Sequence, residues 1–62
     1  MYSTIAKILE AKKMTFADLS KLSGVAGNVF SNLKARGGNL SAENMVKVAK
    51  ALNIPMELLF EG

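Results

Sequence analysis

The stretch LSKLSGVAGNVFSNLKARG, residues 19–37, constrains this chain more than any other. A segment with helical spacing runs into a lone glycine, Gly24, and a second short segment with helical spacing follows almost at once. Glycine reaches the left-handed conformation without a Cβ penalty, so Gly24 is expected to stop the first helix sharply. Val25 then plugs the core under the turn. The next helix is expected from Ala26 or Gly27 to Ala35, with Phe30 and Leu33 turned inward. Its other face offers Gly27, Asn28, Ser31, Asn32 and Ala35, all small or uncharged. Asparagine is a poor helix former, so two of them on one short exposed face ask for a reason beyond solvation.

The rest of the chain reads as helix, with no strand and no linker. Ser3 or Thr4 can cap a first helix that carries Ile5, Ile8 and Leu9 on one stripe and ends near Lys12 and Lys13. Thr15 opens the second helix. Thr15 and Asp18 have the spacing of a capping box, with the acid where the helix dipole favours it. Leu19 and Leu22 are expected inward. Ser41 caps a fourth helix, Glu43 lies in its first turn, and Met45, Val48, Ala49 and Leu52 form its apolar stripe. Asn53 stops that helix and Ile54 packs. Pro55 opens a short fifth helix, where its missing N–H costs nothing. The expectation is an all-α, five-helix domain covering residues 1–62.

A chain of 62 residues has room for one small core. Such a core rarely supplies more than roughly 3–5 kcal/mol of net stability, so self-association would help. The chain has no cysteine and no histidine. That removes disulfides, thiolate metal sites, and the commonest general base and metal ligand. The five carboxylates, Glu10, Asp18, Glu43, Glu57 and Glu61, are scattered. No metal, cofactor, small-molecule substrate or catalytic residue is expected. The longest apolar run is far short of a membrane span, and the start lacks the order of a signal peptide. A cytoplasmic setting is the expectation, in a bacterium or a phage-infected host.

The net charge of +3 is unevenly placed. Residues 11–40 carry Lys12, Lys13, Lys21, Lys34 and Arg36 against Asp18, a net of +4; the remainder of the chain is −1. The positive charge therefore lies on the helix, turn and helix singled out above. Two helices joined steeply by a short turn, with cations around the second, form the helix-turn-helix that sets its second helix in the major groove of DNA.

These residues, together with SAENMVKVAKALNIPMELLF near the end, resemble the Cro/CI family of phage-type regulators, also called XRE-type. The resemblance covers nearly the whole chain. It implies a lambda-repressor-like fold of five helices that binds operator DNA, usually as a dimer, with the helix-turn-helix formed by helices two and three. Carried over position by position, Gly27, Asn28, Ser31 and Asn32 fall on base-reading positions. Asparagine can bond bidentately to adenine. Gly27 has no side chain to read with and instead admits close approach of the backbone. The implied phosphate contacts are Thr15, Phe16 through its N–H, Lys34, Arg36, and the loop at Gly37 and Gly38, assisted by Lys21 and by Lys12 or Lys13. Many members carry a glutamine where this chain has Phe16, and an alanine where it has Ser20; the Ser20 hydroxyl is expected to bond back to a helix carbonyl. Ala26 replaces a capping serine or threonine. Leu9 and Lys34 stand where some members pair an arginine with a glutamate, which leaves Lys34 free for phosphate.

The resemblance also places Leu58 and Leu59 inward, which leaves Phe60 exposed. With Met56 it is the expected dimer contact, in a weak homodimer that forms fully on DNA. The chain suits a short Cro-like protein and, almost as well, the head of a larger repressor. Other readings are a protein-interaction module of the same fold, such as an antitoxin-type partner.

Overall fold

The computed structural model describes residues 1–60. Residues 61 and 62, at the end of the expected domain and including Glu61, lie outside the described ones. Four α-helices follow one another: α1 at Tyr2–Lys12, α2 at Phe16–Ser23, α3 at Gly27–Arg36 and α4 at Ala42–Leu52. The fifth expected helix is a 3-10 helix, Met56–Phe60, so the α-helices number four among the described residues.

The helix boundaries follow local chemistry. In α1 the cap is Met1, without a side-chain bond, rather than Ser3 or Thr4. The Met1 carbonyl accepts from the Ile5 N–H at 3.1 Å, so the cap lies two or three residues earlier than the hydroxyl-based expectation. Met1 also reaches across the fold, where its thioether accepts from the Leu40 N–H at 3.4 Å. At the far end Lys13 turns left-handed, with φ of 58°. At the start of α2 the Asp18 N–H donates to Thr15 Oγ1 at 3.1 Å, and the Thr15 N–H donates to Asp18 Oδ2 at 3.0 Å, the expected capping box. Ser41 Oγ accepts from the Asn44 N–H at 3.2 Å and caps α4. Asn53 ends α4 left-handed at φ 56°, as its side chain favours.

The core draws on every element. Ile5 and Leu9 from α1, Leu19 from α2, Phe30 and Leu33 from α3, and Met45, Val48, Ala49 and Leu52 from α4 are buried, together with Val25, Leu40 and Leu59. Ile8 packs at its edge. No buried side-chain polar atom among the described residues lacks a partner.

Two expected core residues are outside it. Leu22 is 63% exposed. The inward face of α2 is Phe16, Leu19, Ser20 and Ser23, and Leu22 lies beside that stripe rather than on it. Leu58 is 36% exposed, against 0% for Leu59. A 3-10 helix has three residues per turn, so positions three apart are eclipsed. Met56 and Leu59 therefore share the inward edge, Glu57 and Phe60 an outward one, and Leu58 is left between them.

Three aromatic rings tie α1, α2 and α3 together. Tyr2 stacks on Phe16 with centroids 4.9 Å apart and an angle of 4°, and Phe16 meets the buried Phe30 at 5.5 Å and 50°. Such pairs add about 0.5–1.5 kcal/mol beyond their buried area. Phe16, which lacks the amide of its glutamine counterparts, is thus the middle ring of a packed ladder.

Candidate nucleic-acid interface

The turn between α2 and α3 is built from one glycine and four hydrogen bonds. Gly24 is left-handed at φ 76°, and its N–H donates to the Ser20 carbonyl at 3.0 Å. Ser20 Oγ donates to the Val25 carbonyl at 2.6 Å, across the turn rather than back into its own helix. The bond back into the helix belongs to Ser23, whose Oγ donates to the Leu19 carbonyl at 2.7 Å and accepts from the Val25 N–H at 3.2 Å. Val25 is buried beneath this corner. The turn is therefore fixed from both sides, and α3 leaves it in a set direction.

On α3 the residues Asn28, Ser31, Asn32 and Ala35 follow at spacings of three and four, so they share one face. All are exposed, as is Gly27 in the first turn. Phe30 and Leu33 hold the opposite face in the core. Ser31 Oγ lies 3.5 Å from the Gly27 carbonyl, the longest and weakest of the side-chain bonds. The Asn28 and Asn32 amides have no partner within the chain among the described residues. Each presents a donor and an acceptor to solvent. Ala26 offers no side-chain cap, so the first N–H groups of α3 also remain open. Gly27 has a negative φ, and a Cβ built on it would meet nothing within 4 Å. Neither backbone strain nor crowding requires a glycine there.

The cations expected at phosphates frame this face. Lys34 and Arg36 are exposed on the last turns of α3, and Lys21 is exposed on α2. Beyond α3 the loop turns on Gly37 and Gly38, at φ 73° and 83°, conformations that a side chain resists. Asn32 and Arg36, one turn apart, line one cleft with Asn39 and Ser41. Asn39 is a further exposed polar group at that mouth; its signal in the sequence is an amide directly after two glycines.

The start of α2 is electrostatically mixed. Thr15 uses its N–H and its oxygen lone pair in the capping box, and its hydroxyl also supports the Asp18 carboxylate, which leaves the Phe16 N–H to donate outward. The Asp18 carboxyl is held below its usual range by the Thr15 N–H, then by the Thr15 hydroxyl and the charge of Lys21. An ionised Asp18 opposes an anion here, and Lys21 offsets it.

Phe60 is 60% exposed, and Met56 is half-buried against the core. No group of three acidic, histidine or cysteine residues that could hold a metal occurs among the described residues, and no helix is long and apolar enough to cross a membrane.

A family model described as a Cro/C1-type HTH DNA-binding domain matches residues 4–61. No curated protein and no solved structure gave a match.

Proposed function

Because the chain belongs to the Cro/C1-type helix-turn-helix family of DNA-binding domains, we propose that it is a sequence-specific operator-binding regulator, a Cro-like or CI-like repressor. The observation that carries this reading is the exposed face of α3. Asn28, Ser31 and Asn32 stand on it with open hydrogen-bonding groups, and Lys34 and Arg36 flank it. Uncharged amides read base edges, whereas lysine and arginine hold phosphates. In this reading α3 enters the major groove. Gly27 permits close approach, and the phosphates are held by Thr15, the Phe16 N–H, Lys21, Lys34, Arg36, Gly37 and Gly38.

The proposed unit is a single domain over residues 1–62, acting in the cytoplasm with no catalytic step. Two copies related by a two-fold axis would present their α3 helices about 34 Å apart, one turn of DNA, to a near-palindromic site. Phe60 and Met56 are the proposed contacts of that dimer.

The test is binding to a random duplex and to a duplex selected from a random pool, each at rising salt. A dimer that neutralises roughly six to eight phosphates gives a slope of log K against log salt of about −5 to −7. A slope near zero on both duplexes would remove DNA as the ligand.

A further inference from the structure

An open groove of about 590 Å³ lies between α4 and the 3-10 helix. Val46, Ala49, Lys50, Ile54, Pro55 and Met56 line it. Its walls are apolar apart from the side chains of Lys50 and of Asn53, which also lines it. Beside it the 3-10 helix carries Phe60, 60% exposed, and eclipsed with Phe60 the exposed Glu57. The patch thus holds an apolar recess with a cation, next to an apolar knob with an anion. Lys47 forms an ion pair with Glu43 at 3.5 Å, but Lys50 and Glu57 have no such partner among the described residues.

We propose that the occupant of this groove is Phe60 of a second copy of the chain, with Glu57 of that copy paired to Lys50. The proposal rests on the dimer reading given above and assigns the two halves of the interface. Met56 belongs to the receiving groove and Phe60 is the inserted group. A two-fold contact must be self-complementary: what one copy offers, the other accepts, twice. A recess with its cation and a knob with its anion on one patch meet that condition. The eclipsed 3-10 geometry sends the ring and the carboxylate in the same direction. The exposed apolar surface marks the patch for association, and the two charges set its register.

The test exchanges the charges. Lys50→Glu and Glu57→Lys each turn both attractive pairs of a homodimer into repulsive ones. The expected result is about tenfold weaker self-association for each variant alone, read by sedimentation equilibrium with helicity checked by circular dichroism. An equimolar mixture of the two variants restores both pairs in the mixed dimer, so association is expected to return to the parent level. A mixture no tighter than the separate variants overturns this assignment. So does a pair of variants that associate as well as the parent. A parent chain that stays monomeric at high concentration, and that loads a palindrome as two independent subunits, overturns the dimer reading itself. Phe60→Ser is expected to weaken association in the parent and in the mixture alike.

Discussion

Ser20 Oγ lies 2.6 Å from the Val25 carbonyl, and this one bond joins the middle of α2 to the corner from which α3 departs. Ser20→Ala removes the donor and keeps the packing volume. The expected cost is about 0.5–1.5 kcal/mol, within the usual range for one intramolecular hydrogen bond. Urea unfolding measures it. A variant as stable as the parent would mean that water replaces the hydroxyl without loss.

Gly24 and Lys13 make opposite predictions from the same conformation, since both are left-handed, at φ 76° and 58°. A Cβ at Gly24 would meet nothing within 4 Å, so the penalty of Gly24→Ala is one of backbone conformation, about 1–2 kcal/mol. Gly24→Val costs more, because a β-branched residue resists that region further. Lys13→Gly relieves the same strain but loosens the unfolded chain, so a gain of roughly 0.5–1 kcal/mol is expected. Thermal unfolding checks all three, at about 4–8 °C per kcal/mol for a domain of this size.

The amides and the cations of α3 are expected to separate in binding assays. Asn28→Ala and Asn32→Ala lose roughly 1–3 kcal/mol on the preferred duplex and little on random DNA, with the salt slope unchanged. Lys34→Ala and Arg36→Ala weaken both duplexes about equally and make the slope shallower. Equal losses on both duplexes for the asparagine variants would reassign them to positioning the protein on DNA.

Gly27 yields a trade between stability and affinity. With open space around it and a negative φ, Gly27→Ala is expected to stabilise the free domain by up to about 0.5–1 kcal/mol. If the glycine lets the backbone approach DNA, the same change weakens binding to the preferred duplex at least about tenfold. A more stable variant with unchanged affinity would remove the close-approach role.

Acid should loosen the start of α2. The Asp18 carboxyl is held below its ordinary value, first by the Thr15 N–H and then by its hydroxyl. A lowered folded pKa contributes stability that is complete above the ordinary carboxylate range and is lost as pH falls through the folded value. Stability measured from pH 6 downward should therefore fall more in the parent than in Asp18→Asn. The Asp18 titration, followed by NMR, should lie below that of a free aspartate. Parallel curves for the two proteins would show that the capping box does not couple to protonation.

The elements of this fold were legible wherever a local rule acts alone. The capping box at Thr15, the stripe of α4 and the stop at Gly24 each follow from residues within one or two turns. The errors arose where a tertiary contact replaced the expected residue type. In α2 the inward face includes Ser20 and Ser23, which satisfy their hydroxyls on the turn and the helix, so the apolar Leu22 read as the core residue. At the chain end the family resemblance places Leu58 inward beside Leu59, whereas a period of three turns Leu59 and Met56 there instead. At α1 the Met1 carbonyl supplied a cap that no side-chain pattern announces. Of the candidate site, the exposed face of α3 was readable as the complement of Phe30 and Leu33. The shared cleft of Asn32, Arg36 and Asn39 was not, because it needs the path of the loop.

The aromatic ladder also gives the molecule an optical address. The chain has one tyrosine and no tryptophan, and that tyrosine lies flat against Phe16, which in turn meets Phe30 of α3. Its tyrosine dichroism and emission therefore come from a single spot where three helices join. A shift of α3 against its supports would register there without any label.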